Sequence, residues 1–378
     1  MEEHSMTIRR TIAAMGSLAL VLAACTGGGG EASSDASSGA SSGASSGASS
    51  GATGDCHVGV AWATFQEERY GLRDKPGIEA ALEAGGATLT DNDAANSEET
   101  QASNVEALLD AGINVLIMNS VNPESILPAV QTALDQGIPV IAYDRELENA
   151  DALFMTHDNV GVGRMIAEAV VAAQPTGNYA IIKGQEGETN PEFLREGMAE
   201  VIDPLIESGD ITIPDGAEVY TDDWLPDNAK GNMETILTDN DNAIDAVLSE
   251  NDGMAGGVVA ALTDQGIEGT VAVGGQDGDI AALNRVALGT QVVSVLKDAT
   301  ELGTAAGEAA LQLCENPDIS AVTGAVESTS TGGLDTYSVL LDPLPITRDN
   351  LQDALDLEWL TVDELCAGVP SGEVDVCP

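Results

Sequence analysis

In GIPVIAYDR the apolar run Ile138–Ala142 is followed by Tyr143 and then, directly, by an acid and a base, Asp144 and Arg145. A buried strand that finishes on opposite charges must set them against each other or against something polar beyond its end. The pattern recurs along the chain. Arg69 follows VGVAWATFQEE, Glu188 and Asn190 follow AIIKGQEG, and Trp224 follows VYTDD. Asn251 and Asp252 close AVLSEND, Asp277 closes VAVGGQD, and Lys297 closes VSVLK. Carboxylates, amides and guanidinium groups can each engage two neighbouring hydroxyls, and charge-assisted bonds are the stronger kind. An indole adds a flat apolar face for C–H groups. Together these types suit a small uncharged polyol in a cleft that excludes water. Taken singly, each Asp or Asn also reads as a helix cap, Asp144–Arg145 as a surface ion pair, and Trp224 as core. The argument lies in all of them falling on one edge.

Other chemistries find less support. An anion site needs helix N-termini or glycine-rich loops with surplus positive charge. GVGR at Gly161 is too sparse a glycine motif for a nucleotide. The DNDN run at Asp239 lacks the glycine and ligand alternation of a calcium loop. His4, His57 and His157 are scattered and no C-x-x-C pair occurs, so neither metal nor cofactor is expected. A formal charge of −50, from 63 acidic against 13 basic residues, repels phosphate backbones and argues against nucleic acid. The carboxylates leave a glycosidase as a rival reading. Hydrolysis, however, needs a proton-donating acid opposite a second carboxylate, and the neighbouring Arg and Lys are expected to keep these acids ionised. No enzyme is expected.

The elements that carry these residues alternate short apolar runs with amphipathic stretches. HVGVAWA, ATLTDND, VLIMNS, PVIAYD, ALFMTHD, YAIIKG, AEVYTD, AVLSEN, VAVGGQD, VSVLKD and YSVLLD read as strands. EETQASNVEALLDAG and PESILPAVQTALDQG carry apolar residues at helical spacing. This rhythm predicts α/β architecture with parallel sheets covered on both faces. The chain also echoes itself. INVLIMNSVNPESILPAVQTALDQGIPVIAYDR and IDAVLSENDGMAGGVVAALTDQGIEGTVAVGGQD share one plan: a strand ending in Asn, a helix, DQGI, and a strand ending at Asp. Two similar doubly wound lobes are expected, with ligand groups beyond the carboxyl ends of the strands.

Ahead of this body, MTIRRTIAAMGSLALVLAAC has a short basic region and an apolar core too short to span a membrane, the flanks of an export signal over 1–24. Leu22–Cys25 looks like a lipoprotein cleavage site, with Cys25 the acylated residue; a plain secretory signal is the alternative. The Gly/Ser/Ala tract over 25–55 has nothing to bury and reads as a tether. Cys56, Cys314, Cys366 and Cys377 remain, and in an exported chain they read as disulfide partners with three pairings open.

The motifs EERYG, SEETQ, VIAYDR, DNVGVG, DDWLPDNA, SENDGMAGG, GGQDGD and LNRVALGTQ resemble the sugar-binding proteins of bacterial ABC importers, nearest the D-xylose type. The resemblance runs from about Val58 to Leu355. It implies two lobes joined by three crossover segments, 56–160 plus 299–332 and 161–298 plus 333–378, closing on one monosaccharide. It also implies delivery to a membrane permease with its ATPase by a monomer held to the membrane only through its lipid. Arg69, Asp144, Arg145, Asn190, Trp224, Asn251, Asp277 and Lys297 match its sugar contacts. Glu188 stands where that type has Asp, and VLKDATELG departs toward the multiple-sugar binders, so glucose, galactose and arabinose stay open beside xylose. A sugar sensor lipoprotein would use the same closed form. If the lobes fold so, Cys56 starts a strand at the end remote from the cleft and Cys314 ends a helix running outward. Those two could then pair, leaving Cys366 with Cys377.

Overall fold

The structure, a computed structural model, describes residues 56–378; the expected signal, Cys25 and the tether lie outside the described residues. The first lobe begins with β1 (His57–Trp62), α1 (Lys75–Gly85), β2 (Thr88–Asp93), α2 (Glu98–Asp110), β3 (Val115–Met118), α3 (Leu127–Asp135), β4 (Val140–Tyr143) and β5 (Ala152–His157). The second lobe takes α4 (Asn159–Ala173), β6 (Gly177–Lys183), α5 (Asn190–Ser208), β7 (Ile211–Thr212), β8 (Glu218–Tyr220), α6 (Pro226–Asp239), β9 (Ala246–Ser249), α7 (Asp252–Gln265), β10 (Ala272–Gln276), α8 (Ile280–Leu288) and β11 (Val293–Leu296). The chain then returns to the first lobe with α9 (Ala299–Glu315), β12 (Val326–Thr329) and β13 (Asp335–Leu341). It finishes in the second with β14 (Leu344–Thr347), α10 (Leu351–Asp356) and α11 (Val362–Leu365).

The two sheets repeat one order. Strands β2-β1-β3-β4-β5 stand side by side in the first, and β7-β6-β9-β10-β11 in the second, with β8 also paired to β6. All of these pairs are parallel. The two segments that echo each other in sequence are β3-α3-β4 and β9-α7-β10, which occupy equivalent places. The sheets are mixed, not wholly parallel: β12 runs antiparallel to β13, and β14 antiparallel to β11.

Burial explains why the central strands are unbroken apolar runs. Val58, Val60, Ile117, Ile141 and Tyr143 face α1 and α9, while Ala61, Leu116, Met118, Val140 and Ala142 face α2 and α3. Both faces of the sheet are covered, so each position of β3 and β4 is buried. In the second lobe α4 and α5 meet where neither has a side chain. A Cβ on Gly163 would lie 2.0 Å from the Leu194 carbonyl oxygen, and one on Gly197 would lie 1.9 Å from that of Val160.

The chain crosses between lobes at Asp158, at Lys297–Asp298 and at Asp342–Pro343, since β5, β11 and β13 are the last strands before each change of sheet. The third crossing corrects the expected break at 332/333. β13 pairs in parallel with β5, Tyr337 opposite Leu153, so it belongs to the first lobe. Disulfides join Cys56 to Cys314, with Cα atoms 5.8 Å apart, and Cys366 to Cys377 at 5.5 Å.

Candidate functional site

The carboxyl ends of both parallel sheets face the gap between the lobes. Arg69, Tyr70, Asp144 and Arg145 leave the first; Asn190, Trp224, Asn251, Gln276 and Asp277 leave the second; Lys297 stands at a crossover. With Glu67 these residues line one small cavity. Expected residue Glu188 lies outside it, in an adjoining cavity of ≈180 Å³ that shares Glu67, Arg145 and Trp224. A further cavity of ≈200 Å³ shares Arg69, Trp224, Asn251 and Asp277. The small cavity itself is ≈20 Å³, room for about one water.

Two charge clusters hold the walls. In the first, Arg69 grips Asp74 with both arms, Nε to Oδ2 at 3.2 Å and Nη2 to Oδ1 at 2.8 Å. Its remaining nitrogen, Nη1, lies 3.4 Å from Asp144 Oδ1 and 3.5 Å from Asp277 Oδ1, so one guanidinium touches acids of both lobes. Lys297 Nζ stands 3.6 Å and 3.9 Å from the same two oxygens. Tyr70 donates its hydroxyl to Asp144 Oδ2 at 2.7 Å, and Tyr143 donates to Asp74 at 2.5 Å. In the second cluster, Arg145 donates to the Ser120 carbonyl at 2.9 Å and to Glu67 at 2.7 Å, and lies 3.1 Å from Glu188. Trp224 donates its indole N–H to Glu188 Oε2 at 3.0 Å. The indole is pressed onto Gly184, where a Cβ would fall 2.1 Å from the ring.

Backbone geometry aims these groups. Asp144 has φ 63°, Trp224 56° and Asp277 103°, left-handed values that cost L residues energy and gather at functional sites. Asn251 does serve as a helix cap, its Oδ1 accepting from the Met254 amide at 2.7 Å while the residue still lines the cavity. Asn190 donates across the lobes to the Asp144 carbonyl at 3.2 Å.

Protonation separates the acids. Burial pushes the Asp144 carboxyl up, but Arg69, Lys297 and the Tyr70 hydroxyl outweigh it and hold it well below the usual carboxylate range. Burial lifts Glu188 to about 7 despite Arg145 beside it, and lifts Asp277 against Lys297 and Arg69. The expectation that neighbouring cations keep every acid ionised therefore holds for Asp144 and fails for Glu188, where desolvation exceeds the attraction; at Asp277 burial likewise outweighs the cations and the shift is upward. Of the buried oxygens that accept no hydrogen bond, two are on residues lining the cavity: Asp144 Oδ1 from the first lobe and Gln276 Oε1 from the second. Glu67, Tyr70 and Gln276 were not anticipated. Tyr70 and Gln276 adjoin Arg69 and Asp277, and Glu67 lies two residues before Arg69, in EERY and GGQD, so strand-exit neighbours were the available signal.

Twin parallel-dominated lobes around a polar cleft, beyond the switch points of both sheets, are the architecture of a protein that holds a solute between them. The comparisons agree: residues 58–318 match the model of the periplasmic binding protein domain, and the chain belongs to that family, whose members bind solutes and are not enzymes. It is 36% identical over 300 residues to the D-xylose-binding periplasmic protein of Escherichia coli K12, covering 79% of this chain and 88% of that protein. It is 28% identical to the multiple sugar-binding periplasmic receptor ChvE of Rhizobium radiobacter, over 79% and 88%. Among solved structures it is similar to an ABC transporter solute-binding protein from Clostridium phytofermentans with bound β-D-glucose. The TM-score there is 0.74 at 27% identity, covering 82% of this chain and 99% of that one.

Proposed function

We propose that the chain captures a neutral monosaccharide, D-xylose before others, between its lobes outside the cytoplasm and delivers it to an ABC importer. Arg69, Asp144 and Arg145 would meet hydroxyls from the first lobe, with Asn190, Asn251, Gln276 and Asp277 opposite, Lys297 at the crossover and Trp224 beneath the ring. One observation carries the reading. Asp144 Oδ1 and Gln276 Oε1, on opposite lobes of one cleft, are buried and accept no hydrogen bond, Asp144 Oδ1 having only Arg69 and Lys297 at ion-pair range. A buried polar group left unpaired costs about 1–3 kcal/mol, and sugar hydroxyls are donors that would relieve both. Charge points the same way, since each cation in the cavity is matched by an acid and leaves nothing for an anionic ligand. Xylose is favoured by the relative at 36% identity. A multiple-sugar binder is the second reading, favoured by the ChvE likeness and the glucose-bound neighbour. Acylation at Cys25 and a monomeric body presented to a permease and its ATPase complete the proposal.

Calorimetric titration with xylose, glucose, galactose, arabinose and ribose tests it. Tight one-to-one binding of xylose, with epimers rejected, supports the first reading, and comparable binding of several supports the second. Heat from none of the five would overturn both.

A further inference from the structure

The last segment of the chain reaches back across the cleft. Trp359 belongs to the second lobe, packed with Leu283, Val286, Leu360 and Leu365 in a cluster that includes Cys377 of the terminal disulfide. Its indole N–H donates to the Gly278 carbonyl at 2.6 Å. Gly278 directly follows Asp277, and both have positive φ, 78° and 103°. From the first lobe, Arg73 donates through Nη2 to the Trp359 carbonyl at 2.7 Å and lays its guanidinium 4.4 Å from the Trp359 ring centroid. Arg73 immediately precedes Asp74, the acid that grips Arg69. Around this contact opens a cavity of ≈640 Å³, walled by Leu72 on one lobe and Ile280 on the other. The contact therefore spans an open gap. Neither Arg73 nor Trp359 lines the small cavity.

We propose that Arg73 and Trp359 form a latch: they are positioning residues that hold the lobes closed over the ligand without touching sugar themselves. Arginine over an indole face is an attractive pairing, and here it comes with a charge-assisted bond to the carbonyl of the same residue. Opening the cleft separates Arg73 from Trp359, so the pair adds to the stability of the closed form alone. Such a contribution slows release and leaves encounter unchanged, because association begins from open lobes.

The proposal rests on the sugar-binding reading, and the test separates the two. Stopped-flow binding of D-xylose and the other four sugars is measured on the full wild-type chain, then on Arg73→Gln, Arg73→Lys and Trp359→Phe. Arg73→Gln is expected to release sugar roughly tenfold faster with an unchanged association rate. Arg73→Lys should fall between it and wild type, and Trp359→Phe should also release faster because Gly278 loses its donor. The ratios of affinity among the sugars should stay as in wild type. If Arg73→Gln fails to fold, Arg73→Lys carries the test. Unchanged release, or a loss that differs from one epimer to the next, would overturn the latch while the functional reading stands. A wild-type chain that binds none of the sugars would overturn both.

Discussion

Asp144 shows how much one residue's surroundings decide. It is an ordinary strand-end aspartate by sequence, yet it takes a Tyr70 hydroxyl on one oxygen and two cations at ion-pair range on the other. Its type and place were legible because an apolar run stops on it. The direction of its side chain was not, since φ 63° turns it away from where an extended strand would point. Glu188 is the converse case. Its carboxylate meets Arg145 and the Trp224 indole and does not line the small cavity, which sequence alone did not say. Burial holds its closed-form pKa at about 7, whereas in open lobes it faces water and returns toward an ordinary value. Closure then takes up a proton. The closed form has this advantage in full below the ordinary carboxylate range and loses it as pH rises from there to about 7, by the same linkage that ties pKa shifts to stability. Sugar affinity measured from pH 5.5 to 8.5 should therefore weaken up to about 7 and level off above it, and Glu188→Gln should flatten the profile. An unchanged slope in the variant would assign the effect elsewhere.

Elements were legible in proportion to their burial. β3 and β4 are buried at every position and stand out as apolar runs. β7 has two residues, β12 is mostly exposed, and β14 contains Pro345, so none carried a pattern to read. These edge pieces are also why the sheets are mixed: β12 and β14 supply the antiparallel pairs. The Cys56–Cys314 bridge ties the start of β1 to the end of α9 across 258 residues of sequence, within one lobe. Losing a native disulfide costs about 2–5 kcal/mol. Cys56→Ala with Cys314→Ala should lower the thermal midpoint clearly, while sugar affinity at 20 °C stays near wild type, because both cysteines sit far from the strand ends that face the cleft. A fall in affinity matching the fall in stability would mean the bridge shapes the site as well.

At the scale of the molecule, the internal echo was the informative feature. It foretold two sheets of the same order, and that duplication is what lets strand ends of two lobes meet across one gap. The last crossing was misplaced because YSVLLD reads as a strand in either lobe; only its pairing with β5 assigns it. Partner choice between sheets is a long-range matter that local pattern does not encode. Likewise, nothing local in GLRD or LEWL announces that Arg73 and Trp359 meet across the cleft, 286 positions apart. The account as a whole requires one ligand to be held by both lobes at once. A crystal structure of the chain grown with D-xylose tests this most directly. The account predicts a single pyranose between the lobes, with Asp144 and Gln276 oxygens each within hydrogen-bond reach of a sugar hydroxyl and Trp224 against the ring. A sugar bound to one lobe only, or seated in the gap beside Leu72 and Ile280 with neither Asp144 nor Gln276 accepting from it, would contradict it.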